Sequence, residues 1–120
     1  EKANVVASIT AIGEVAGKNI IIVDDMVDTA GTLAKAANVL KDMGAVSVRA
    51  CATHPVFSGS AYEKIANSAL EEVIVSDTIP LSNDPAKDKS KITVLTMAKM
   101  FADIIRKVYN YEEISSSFIN

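Results

Sequence analysis

The residue types able to do chemistry are concentrated in one stretch, Asp24-Asp25-Met26-Val27-Asp28-Thr29-Ala30-Gly31-Thr32, which follows the β-branched run Ile20–Val23. Small residues let a backbone wrap an anion, and successive N–H groups at a helix start point at it. The hydroxyls of Thr29 and Thr32 add donors, so the guest that Asp28, Thr29, Ala30, Gly31 and Thr32 suit is a phosphate. The carboxylates of Asp24, Asp25 and Asp28 would repel a phosphate that they faced directly. The conflict resolves if acids accept hydrogen bonds from the hydroxyls of a sugar. A ligand with a phosphate at one end and a cis-diol at the other, such as ribose 5-phosphate, meets both requirements. The plain reading of Asp28 is an N-cap, and of the two threonines, turn formers.

The elements that must position these residues alternate. Val5–Ile12 reads as a partly exposed strand, and Gly13 and Gly17 punctuate the turn after it. Asn19–Val23 reads as a strand buried on both faces, as in a parallel sheet. Leu33, Ala36, Ala37, Leu40 and Met43 follow helical spacing opposite Lys35, Asn38, Lys41 and Asp42, and Gly44 stands where a helix ends. Strands are expected at Val46–Thr53, about Val73–Val75 and Ile92–Leu95, with a helix at about Ser60–Ala69. Ser82–Lys91 reads as a surface excursion, its lysines solvated. Met97, Phe101, Ile104, Ile105 and Val108 form a helical stripe, read as core. The fold class that follows is α/β, a parallel sheet with helices on both faces. Asp24, Asp25, Thr53, His54, Ser76, Asp77 and Thr96 all fall at carboxyl ends of strands, the edge where open α/β sheets bind ligands.

Composition narrows the function classes. A chain of 120 residues with 49% hydrophobic content fits one ordered domain, residues 1–120. A formal charge of −3 speaks against nucleic acid or an anionic membrane as partner. The longest apolar runs are too short to span a bilayer. The single cysteine, Cys51, alternates with Ala50 and Ala52 and reads as buried packing in a reducing compartment.

The string Val23–Thr32 resembles the phosphoribosyl-binding signature of ribose-phosphate pyrophosphokinases. Thr53-His54-Pro55-Val56-Phe57-Ser58-Gly59 and Ser76-Asp77-Thr78-Ile79-Pro80 resemble two further segments of that family, and the similarity runs on to Ile114–Phe118. The resemblance implies a type I phosphoribosyltransferase-like fold and the C-terminal domain of a longer two-domain transferase of nucleotide biosynthesis. Asp24 and Asp25 would take the ribose hydroxyls, Asp24 more directly, and Asp28–Thr32 the 5-phosphate. The whole enzyme would use Mg²⁺ with ATP as substrate, form hexamers and work in the cytoplasm. Its ATP contacts, metal-binding residues and catalytic Lys and Arg would lie outside this chain, which contributes no catalytic residue and no metal ligand.

By the same resemblance His54, Ser58 and Gly59 belong to a mobile regulatory loop, though Ser60 stands where the family commonly has Pro. The serine-rich tail matches a segment that forms an allosteric phosphate site, with Glu113 in place of a serine. Two rivals stand beside the kinase: a purine or pyrimidine phosphoribosyltransferase, and a non-catalytic regulator that senses phosphoribosyl ligands.

Overall fold

A computed structural model of the chain describes residues 13–117. The strand expected at Val5–Ile12 lies outside the described residues. Four strands, β1 (Asn19–Val27), β2 (Ser47–Pro55), β3 (Glu72–Ser76) and β4 (Ile92–Leu95), form one parallel sheet in the order β1-β2-β3-β4. Helix α1 (Gly31–Asp42) joins β1 to β2, the short α2 (Ala61–Ala66) joins β2 to β3, and α3 (Ala98–Tyr109) follows β4. The excursion between β3 and β4 carries no helix or strand. Its three lysines, Lys87, Lys89 and Lys91, are half-buried rather than fully solvated. Lys87 Nζ stands 5.6 Å from the centroid of the Tyr62 ring, and Lys91 Nζ donates to the Ser68 carbonyl at 2.9 Å.

Helix α1 has the amphipathicity read from its spacing. Ala34, Ala37 and Leu40 are buried, while Lys35, Asn38, Lys41 and Asp42 are exposed. It ends where Gly44 stands. The Ala45 N–H bonds to the Leu40 carbonyl at 3.1 Å and the Gly44 N–H to that of Lys41 at 3.0 Å, a Schellman stop. Gly44 has φ +98, and a Cβ there would lie 3.2 Å from the Cβ of Ala16. That closeness is used: the Gly17 N–H bonds to the Gly44 carbonyl at 2.9 Å, aligning the turn before β1 with the turn before β2.

The buried cluster joins Val48, Ala50 and Ala52 of β2 and Val73 and Val75 of β3 to Ala37 and Leu40 of α1 and Ala61, Tyr62 and Ile65 of α2. Both helices therefore cover one face of the sheet, and the expectation of helices on both faces is met on one face only among the described residues. Strand order supplies the reason. Right-handed crossovers that advance one strand at a time in a single direction place every connecting helix on the same side.

Several burial expectations change with that. Ile21 and Val23 are 66% and 77% exposed, so β1 is not buried on both faces. Cys51 is exposed rather than packed, because alternation along β2 turns it to the uncovered face. The stripe on α3 is not core either: no residue of α3 is buried, and Ile105 is 68% exposed.

The Gly44 turn yields a stability prediction. Gly44→Ala forces a side chain into a positive-φ position and against Ala16, at a cost of about 1–2 kcal/mol. Urea unfolding of the purified protein should show an earlier midpoint with an unchanged slope. An unchanged midpoint would mean that the turn relaxes freely.

Candidate functional site

Strand β1 continues through both acids to Val27, pairing Asp24 with Ala52, Met26 with His54 and Val27 with Pro55. Asp24 and Asp25 thus belong to the strand end, as the sequence suggested, and the strand runs two residues past them. Alternation puts them on opposite faces of the ribbon. Asp24 lines a hollow of about 290 Å³ together with Met26, Val27 and the whole of Asp28–Thr32, and Asp25 does not. Of the two acids, Asp24 is the one that shares space with the loop.

The loop turns into α1 through Ala30, which serves as N-cap in a left-handed conformation (φ 63, ψ 7) and makes no side-chain cap hydrogen bond. The N–H groups of the first turn of α1 are consequently left for an acceptor outside the helix. Asp28 is not the N-cap. Its carboxylate accepts a hydrogen bond from Ser58 Oγ. Gly31 does not carry the unusual φ; Ala30 does, and an L-residue held there costs roughly 1–2 kcal/mol. What Gly31 provides is space, since a Cβ on it would lie 3.6 Å from Lys64 Nζ and 3.8 Å from Thr29 Oγ1.

The segment containing His54, Ser58 and Gly59 is drawn onto this loop. The Phe57 N–H bonds to the Val27 carbonyl and the Ser58 N–H to the Asp28 carbonyl, both at 3.0 Å. These bonds carry the β1–β2 pairing past the strand ends. Phe57 itself packs edge-on to Tyr62, ring centroids 5.2 Å apart. His54 is the penultimate residue of β2, not a loop residue, and its Nδ1 lies 2.8 Å from Thr78 Oγ1. Gly59 has φ 58 and open space where a Cβ would be. Spacing along the chain gave no sign of the Ser58–Asp28 bond, which joins positions thirty residues apart.

Along the rim, Ser76 Oγ donates to the Thr53 carbonyl at 2.6 Å. Asp77 accepts from Thr96 Oγ at 2.6 Å and from the Met97 N–H at 2.8 Å, tying the end of β3 to the start of α3. Those two hydrogen bonds hold the Asp77 carboxyl below its ordinary range. At the tail, Ser115–Ser117 form a single 3-10 turn, with Lys107 Nζ donating to Ser117 Oγ at 2.8 Å. Among the described residues no three His, Cys, Asp or Glu side chains converge as metal ligands, and no helix is long and apolar enough to cross a membrane.

Fold and site together define a class of protein: a parallel α/β domain with a small-residue loop, leading into a helix, at the carboxyl end of a strand. The profile of the phosphoribosyl synthetase-associated domain matches residues 2–119, and the chain belongs to that family. It is 58% identical over 119 residues to a ribose-phosphate pyrophosphokinase of Wolinella succinogenes, covering 99% of this chain and 37% of the relative. The corresponding enzyme of Shewanella oneidensis is 55% identical over 117 residues, again covering 98% of this chain and 37% of the relative. The crystal structure of phosphoribosylpyrophosphate synthetase from Mycobacterium smegmatis superposes with a TM-score of 0.79 at 42% identity, over 83% of this chain and 33% of that one. The chain therefore spans little more than a third of the length of the curated relatives it matches. The family is established by these matches; the C-terminal placement suggested by the motifs is not.

Two predictions follow the geometry. Ser58→Ala removes the side-chain donor to Asp28 and spares the backbone bonds, at a cost of about 0.5–1.5 kcal/mol. Amide exchange at Gly31 and Thr32 should quicken, while exchange in the core of β3 stays as it was; equal rates at all these amides would show that the hydroxyl does not hold the loop. The second concerns acid. Because the Asp77 carboxyl is lowered, its contribution to stability is complete above the ordinary carboxylate value of 3.8 and is lost as pH falls through the lower folded value. Asp77→Asn should flatten the acid limb of the stability–pH curve, and an unaltered limb would assign that limb to other carboxylates.

Proposed function

We propose that this chain is the ribose 5-phosphate-binding part of a ribose-phosphate pyrophosphokinase. The observation that carries the reading is the hollow in which Asp24 faces the Asp28–Thr32 loop, whose helix-start N–H groups have no side-chain cap. A 5-phosphate seated on those N–H groups is held by dipoles directed at it. Asp24, at the strand end on the wall of the same hollow, accepts hydrogen bonds from the ribose hydroxyls. One site thus reads the charge and the diol at opposite ends of a small ligand.

In the whole enzyme the anomeric oxygen of ribose 5-phosphate attacks the β-phosphorus of ATP. The new oxygen–phosphorus bond forms as the bond to the AMP oxygen breaks, giving phosphoribosyl pyrophosphate and AMP. Such transfer depends on positioning and charge neutralisation. The contribution of this chain is positioning: it fixes the sugar phosphate so that the anomeric oxygen points out of the hollow. Mg²⁺ arriving with ATP supplies charge neutralisation, and the ATP pocket belongs to the remainder of the protein. Hexameric assembly and a cytoplasmic setting accompany this reading through the family resemblance.

The roles of acid and loop are separable in the full-length enzyme. Asp24→Asn keeps the shape and weakens the acceptor, so binding should fall by about 1.5–3 kcal/mol, roughly ten- to a hundredfold. That penalty should shrink sharply for a competing sugar phosphate without the 2- and 3-hydroxyls. Gly31→Val, which fills the space beside the loop, should penalise both ligands alike. If Asp24→Asn weakens hydroxylated and deoxygenated sugar phosphates equally, Asp24 does not read the diol.

A further inference from the structure

The proposed phosphate site has an electrostatic deficit. Asp24 and Asp28 both line the hollow, and partial charges at a helix start only partly offset a phosphate dianion. A full positive charge stands beside it on a different element. Lys64, in the last turn of the short α2, brings its Nζ to 3.6 Å from the position a Cβ would take on Gly31, the first residue of α1. Its backbone is fixed there, with the Lys64 N–H bonded to the Ser60 carbonyl at 2.9 Å. The preceding loop is bound to Asp28 through Ser58. Neighbouring Tyr62 and Ile65 are buried, which leaves Lys64 on the outer side of α2.

That ammonium group has no other partner among the described residues. Among the described residues the ion pairs engage Arg49, Arg106 and Lys107, and none engages Lys64. The lysine ammoniums that donate hydrogen bonds among the described residues are those of Lys41, Lys89, Lys91 and Lys107. We propose that Lys64 is the cationic partner of the phosphate at Asp28–Thr32, a binding residue contributed by the second crossover to a site built by the first. The inference rests on the reading of that loop as the 5-phosphate site, and assigns the phosphate end a charge contact in addition to backbone donors. An ammonium is a point charge with freely turning donors, so it suits a phosphate whose oxygens are already oriented by the loop.

The test uses the full-length protein titrated with ribose 5-phosphate at two ionic strengths, in the forms Lys64→Met, Lys64→Arg, Lys35→Met and Gly31→Val. Lys35 is an exposed cation on α1 and reports the effect of one lost surface charge. Lys64→Met should raise Kd roughly five- to tenfold at low salt, with Lys64→Arg and Lys35→Met within about twofold of the parent. The Lys64→Met difference should narrow between about 50 and 300 mM salt, as screening requires. If Gly31→Val weakens binding and Lys64→Met does not, the loop holds the phosphate without Lys64 and the inference is overturned. Equal losses for Lys64→Met and Lys35→Met would overturn it as well, because the effect would then be general charge. If neither Gly31→Val nor Lys64→Met alters Kd, the phosphate-site reading fails and the inference falls with it.

Discussion

The structure around the site depends on the parallel pairing of β1 with β2, continued beyond the strands by the Val27–Phe57 and Asp28–Ser58 backbone bonds. Those bonds hold two loops side by side at the carboxyl edge of the sheet. Without them, the turn into α1 would have to maintain a left-handed Ala30 unaided. Strain of that kind persists only where surrounding contacts over-determine the backbone. Here the over-determination comes from a ladder that ends in a side-chain bond, Ser58 to Asp28.

The same pairing couples the chemistry of one crossover to the other. The first crossover supplies the acid, the Asp28–Thr32 loop and the helix start. The second supplies Ser58, which occupies the Asp28 carboxylate, and Lys64, which stands beside Gly31. The Asp28 carboxylate is thus turned toward a hydroxyl donor of the neighbouring loop. Phe57 and Tyr62, packed edge to face in the core, give this second loop a fixed base.

The covered and uncovered faces of the sheet have one origin. Strands added one after another in a single direction bring α1 and α2 to the same side, and the small residues Ala50 and Ala52 of β2 let those helices approach. The opposite face presents Ile21, Val23 and Leu95 to solvent, and α3 presents Phe101, Ile105 and Val108.

Local physical chemistry made much of this legible in the sequence. The β-branched run of β1, the amphipathic spacing of α1, the Gly44 stop and the small-residue loop each follow from neighbours in the chain, where periodicity and backbone preference act. The family signature likewise lies in one continuous string. Burial and cross-loop contacts obeyed different rules. Whether Cys51, Ile21 or the stripe on α3 is covered depends on strand order, which no local pattern encodes. His54, Ser58 and Lys64 acquire their partners from segments about twenty to thirty residues away in the chain. The sequence by itself determined the elements and the small-residue loop, because those are set by residues in contact along the backbone. Only the tertiary structure decided which face is open, which acid enters the hollow and which cation stands beside it, because those follow from the direction in which strands are added and the register at which they pair.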